Sequence, residues 1–103
     1  SRNLYSFYGN ELKEGKENSE EMQLLRSIRL KIDFIKTNPF YGDNIRKRQI
    51  PTEYAVRNLW SVELSHFWRM LYTIQGNKEE IICFVVDIID HTRYNKIFGY
   101  RKK

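Results

Sequence analysis

The chain has little with which to build a metal centre or a covalent framework. Its one cysteine, Cys83, has no partner for a disulfide within the chain, so a reducing cytosol is the expected setting. Cys83 lies in an apolar run, where a buried, inert thiol is expected. Histidines are limited to His66 and His91. No Cys/His cluster has metal-ligand spacing, and no glycine-rich loop is built to cradle phosphate. No metal or cofactor is expected. Long hydrophobic runs are also missing. None approaches the roughly 20 residues of a membrane helix, and the first residues show no signal-peptide pattern. Repeats and low-complexity segments are absent too.

What is present is a basic, aromatic-rich chain. Its 103 residues suffice for one small domain with a modest core, so residues 1–103 read as a single unit. The formal net charge is +5, and it is unevenly placed. From Phe67 onward seven basic side chains face four acidic ones, a surplus of three; the first 66 residues hold a surplus of two. A basic C-terminal third suits an anionic partner such as nucleic acid, although charge of this size also serves solubility.

Asn58 to Tyr100 organises the rest. Leu59–Leu64 and Phe67–Ile74 read as two strands joined by a tight Ser65-His66 turn. Ile81–Ile89 reads as a third strand that breaks at Asp90-His91. Aromatic and β-branched residues dominate these runs, and such side chains suit a pleated, half-buried surface. Successive strand residues point to opposite faces. Trp60, Val62 and Leu64 therefore group with Met70, Tyr72 and Ile74 as the set to be packed against helices. Ser61, Glu63 and Arg69 fall on the other face, which is expected to be open. An Arg inside a strand needs an anionic partner or an open face, because an unpaired buried charge is costly. Glu63 opposite Arg69 is one such partner, as a cross-strand ion pair.

Upstream, Leu4, Phe7, Tyr8 and Leu12 fit a short helix over about Asn3–Glu14. Asn18 is placed to cap a second helix, with Glu21 as the reciprocal partner. Leu25, Ile28, Ile32 and Ile35 give that helix one apolar stripe, and Pro39 ends it near Thr37-Asn38. Ile45–Ile50, which holds Arg46, Lys47 and Arg48, reads as a charged edge strand. The expected fold is α+β, with two N-terminal helices on one face of an antiparallel sheet of three to four strands.

The blocks Asn58-Leu59-Trp60-Ser61-Val62-Glu63-Leu64, Phe67-Trp68-Arg69-Met70-Leu71-Tyr72 and Ile88-Ile89-Asp90-His91 resemble the RelE/ParE superfamily of type II toxins, in its RelE/YoeB-like branch. Tyr94, Lys96-Ile97-Phe98-Gly99-Tyr100 and the segment Asn38-Pro39-Phe40-Tyr41-Gly42 add to the resemblance, which covers roughly residues 20–103. Members usually begin with a strand before the first helix. This chain opens almost directly in helical pattern, so either that strand is absent or residues 1–7 are not helical. A missing strand leaves a sheet edge for a partner or a second copy to cover.

The resemblance implies a metal-independent endoribonuclease that cuts mRNA on the ribosome and is held by a small acidic antitoxin, all in the cytoplasm. In such cleavage a 2′-hydroxyl attacks its own 3′-phosphate, which calls for a base, an acid and a cation at the transition state. Arg69 matches the family's phosphate-contacting arginine. His91 and Tyr94 match its C-terminal catalytic positions, with His91 as general acid. The base is either Glu53, from the resemblance, or Glu63, from strand parity. Arg46, Lys47, Arg48, Arg93 and Lys96 are the candidate RNA contacts. Relatives carry lysines where this chain has Ser61 and Glu63, which argues against a purely cationic mechanism here. Two alternatives stay open: a gyrase-binding ParE-like toxin, and an inactive relic that only docks an antitoxin.

Overall fold

The computed structural model describes residues 19–99. The first expected helix and the question of a leading strand lie outside them, and the expected Asn18 cap is replaced by the next residue, Ser19. Helix α1 spans Glu20–Thr37. Its cap is Ser19, whose hydroxyl accepts from the Met22 N–H at 3.2 Å. Glu20 and Glu21 at its start and Lys36 at its end complement the helix dipole. It stops before Pro39 as expected, with the Asn38 N–H closing on the Phe34 carbonyl at 2.9 Å.

Four antiparallel strands follow, paired in the order β1-β2-β3-β4. They are β1 (Asp43–Asn44), β2 (Trp60–Glu63), β3 (Arg69–Gly76) and β4 (Ile81–Ile89). Helix α2 (His91–Phe98) closes the described chain. The protein is thus α+β, with α1 where the second expected helix falls and α2 as a C-terminal helix that was not expected. Asp90 caps α2 by accepting from the Arg93 N–H at 2.9 Å, so His91 opens a helix and does not merely end a strand.

The edge strand is shorter and earlier than Ile45–Ile50. Asp43 and Asn44 pair with Ser61 and Trp60, and the Ile45 N–H adds a bond to the Leu59 carbonyl at 2.9 Å. Ile45 then buries its side chain, while Arg46, Lys47 and Arg48 stay in water. With nothing apolar to alternate, that charged run folds into a 3₁₀ turn at Lys47–Gln49. The β2–β3 turn also differs from a two-residue hairpin. Ser65–Phe67 forms a 3₁₀ turn, and the Leu64 N–H reaches the Trp68 carbonyl at 2.7 Å. Both His66 and Phe67 take positive φ, at 54° and 64°.

Parity placed the helix-side core correctly. Leu24 and Ile35 of α1 pack on Val62, Leu64, Met70 and Tyr72. The Tyr72 hydroxyl donates to the Pro39 carbonyl at 2.7 Å and accepts from the Gly42 N–H at 3.0 Å. A Cβ on Gly42 would lie 2.9 Å from both the Ser61 carbonyl and the Tyr72 hydroxyl. The Asn-Pro-x-x-Gly segment is therefore a tight clamp between helix and sheet.

The opposite face is not open at its centre. Leu59, Leu71 and Ile89 would be wet there, and Phe98 with Ile45 covers them as a second core. Tyr94 and Ile97 of α2 and Ile50, Tyr54 and Val56 of the preceding loop pack around it. Strand β4 reaches both cores through a bulge between the Leu71 and Tyr72 positions of β3: Asp87 pairs with Leu71, Val85 pairs with Tyr72, and Val86 is the extra residue. Among the described residues the outer edge of β4 has no strand neighbour. Ile81, Ile82, Phe84 and Val85 are exposed along it. Beside it, Ile32, Pro39, Met70, Ile81 and Val85 line a groove of about 350 Å³.

Candidate functional site

Arg69 begins β3, half-buried, in register with Glu63 across β2 and with Ile89 across β4. The cross-strand ion pair with Glu63, the structural alternative for Arg69, does not form. The guanidinium instead lies 4.5 Å from the centre of the Tyr94 ring. Helix α2 delivers that ring because Tyr94 and Phe98, one turn apart, sit together over the second core with ring centres 4.8 Å apart. A cation over an aromatic face is held by the ring's quadrupole, which leaves its N–H fork uncommitted. Among the described residues the Arg69 guanidinium has no hydrogen-bond or ion-pair partner.

His91 stands at the exposed start of α2, and its ring centre is 5.8 Å from that of Phe67. Its Nε2 lies 3.2 Å from the Asn95 amide nitrogen one turn on. Glu63 is exposed at the end of β2. Arg69, Tyr94, His91 and Glu63 are thus brought to one corner of the sheet, with Phe67 beside them.

Glu53 arrives by another route. It sits exposed in the 3₁₀ turn Thr52–Tyr54, next to a tyrosine that is anchored to the sheet. The Tyr54 hydroxyl donates to Asp87 Oδ2 at 2.9 Å. Burial, and then the bond and charge of Asp87, push the Tyr54 pKa up to about 12. The Arg93 charge pulls the other way, which places Arg93 near that hydroxyl. Arg46, Lys47 and Arg48 are exposed on the basic turn. The turn is tied to the end of α2 by Gln49, whose amide donates to the Phe98 carbonyl at 3.4 Å. Lys96 is exposed on α2 itself. The basic candidates therefore flank the second core, and Arg69 lies at its other end.

No family model, curated protein or solved structure matches the chain.

Among the described residues, no three His, Cys, Asp or Glu side chains gather as metal ligands would, and no helix is long and apolar enough to cross a membrane. Sequence reasoning missed Tyr54, Asp87 and Phe67. Asp87 did carry a signal, since one carboxylate inside an Ile/Val/Phe strand calls for a donor. His66 is exposed in its turn as expected, but it is partnered: Nε2 lies 2.7 Å from Gln23 Oε1, and Nδ1 lies 3.3 Å from Glu20 Oε2. Cys83 is half-buried, and burial raises its thiol pKa, in keeping with an inert thiol.

Proposed function

We propose that the chain is a RelE/ParE-type toxin that cleaves mRNA on the ribosome by 2′-hydroxyl attack. The single observation behind this reading is Arg69: a cation fixed on the Tyr94 ring, without a carboxylate partner, in the same corner as His91 and Glu63. A pre-aimed guanidinium fork suits the non-bridging oxygens of a phosphate whose charge grows in the transition state. His91, exposed at the helix start, is the proton donor to the leaving oxygen. Register with Arg69 supports Glu63 as base, and the family resemblance supports Glu53. Replacing each with Gln separates them. The basic turn and the exposed face of α2 hold the flanking phosphates.

The partner in this reading is a small acidic antitoxin that folds on binding. The apolar outer edge of β4 and the groove beside α1 are where an added strand would dock. A second copy of the chain is the other candidate for that edge.

Arg69→Ala tests the nuclease reading. Ribosome-dependent cleavage should fall on the order of 10²–10³-fold, because one aimed transition-state donor is lost. The melting temperature should fall only modestly, since the cation has no ion pair to lose and its contact with the Tyr94 ring is worth about 0.5–2 kcal/mol. A folded Arg69→Ala protein that cuts at the parent rate overturns this assignment. Inhibition of DNA supercoiling without mRNA cleavage would point to a gyrase-binding toxin instead.

A further inference from the structure

Phe67 has no role in the chemistry above, and two features of it need explaining. At 64 % exposure it is the most exposed large apolar side chain among the described residues. It also follows His66 as the second of two consecutive non-glycine residues at positive φ. Positive φ is costly for a residue with a Cβ, and the cost falls hardest on bulky side chains. A Gly or Asn at the same turn would avoid both penalties. The strain holds the ring beside the reacting groups, 5.8 Å from the His91 ring and two residues from Arg69. Strained backbone at such a place is a recurrent mark of function.

We infer that Phe67 is a stacking platform for one unpaired RNA base, next to the phosphate held by Arg69. This rests on the RNA-cleaving reading. Single-stranded RNA is recognised where splayed bases stack on aromatic rings while cations follow the backbone. Phe67 supplies the ring, and Arg69 with the basic turn supplies the track. The contact tolerates any base, because every base presents a π-face, and it favours the larger purines. Phe67 is a positioning residue: it fixes the nucleotide so that the 2′-hydroxyl and phosphate meet Arg69 and His91 in register.

The test uses a short single-stranded ribo-oligonucleotide carrying 2-aminopurine, with 2′-O-methyl groups to block cleavage. With the parent protein the fluorescence should quench on binding. Phe67→Gly should bind about ten- to a hundredfold more weakly, the usual effect of losing one stacked base. It should also melt at or above the parent temperature, because glycine accepts the positive φ. Phe67→Trp should bind like the parent. An abasic nucleotide at the probe position should bind parent and Phe67→Gly alike. Phe67→Gly binding within twofold of the parent overturns the proposal, as does a parent that binds no oligonucleotide. Unchanged RNA binding with loss of a co-expressed acidic partner would assign Phe67 to a protein contact and overturn it as well. The two readings fail separately: quenching without ribosomal cleavage sinks the nuclease and keeps the platform, whereas undiminished cleavage by Phe67→Gly sinks the platform and keeps the nuclease.

Discussion

The two faces of the sheet are both buried at their centres, yet their polar groups are used differently. On the α1 side polar groups serve closure. The Tyr72 hydroxyl makes two bonds that lock the turn after the helix, and Ser27 Oγ accepts from the Ser65 N–H at 3.1 Å to hold the hairpin. On the α2 side closure is incomplete. Arg69 and Glu63 face each other across the strands without pairing, and Phe67 stands in water. The α1 face uses these polar groups to close the fold, whereas the α2 face leaves a cation without an ion pair. Departures from local consistency of that kind gather at functional sites.

The largest expected effect asks whether the two faces fold together. Met70 and Leu71 are neighbours with 0 % exposure and point to opposite cores. Met70→Ala and Leu71→Ala should each cost about 2–5 kcal/mol in urea unfolding. A Leu71→Ala protein that unfolds its site-side probes first, leaving the α1 side intact, would break the picture of one cooperative unit. The next effect is smaller and confined to the α1 face. Tyr72→Phe strips the clamp of both hydroxyl bonds and should cost about 1–3 kcal/mol, with RNA binding unchanged in the folded fraction.

The smallest effect belongs to the α2 face. Tyr54→Phe removes one hydrogen bond to Asp87, worth about 1 kcal/mol. Oligonucleotide binding should change little, because the loop that Tyr54 anchors carries Glu53, a candidate base, and no phosphate contact. The pH dependence follows from its raised pKa. The folded protein keeps the Tyr54 proton up to about 12, whereas the unfolded chain releases it near 10.0. Between those values the folded state binds more protons, so stability is full below 10 and declines as pH rises towards 12. Tyr72, also raised by burial, contributes in the same direction. Denaturant midpoints measured across this range should decline less steeply in Tyr54→Phe than in the parent.

Local pattern carried much of this architecture. The apolar positions Ile28, Ile32 and Ile35, the stop at Pro39 and the Ile81–Ile89 run all appear in the structure as read, while Leu24 rather than Leu25 completes the stripe against the sheet. Alternation assigned the α1-side core and put Arg69 on the other face. What escaped was non-local. Whether Arg69 meets Glu63 or Tyr94 depends on where α2 docks, and nothing in the strand sequences reports that. The start of α2 was legible in principle, since Asp90 three residues before Arg93 is a capping arrangement, but an Asp-His after a strand reads equally well as a break. The Tyr54–Asp87 bond joins residues 33 positions apart. Strain at His66 and Phe67 is invisible to propensity, which would have chosen glycine.

The bulge at Val86 makes β4 a phase shifter. Ile81, Cys83 and Val85 alternate onto the α1 face, and strict two-residue periodicity would send Asp87 and Ile89 there too. The extra residue resets the count by one, so Asp87 faces Tyr54 and the chain enters α2 on the far side of the sheet. The handedness of the site is therefore written in the length of this strand rather than in its composition. Losing a single residue from it would be a deeper change than almost any substitution, because it would deliver Asp87, Ile89 and the start of α2 to the wrong face.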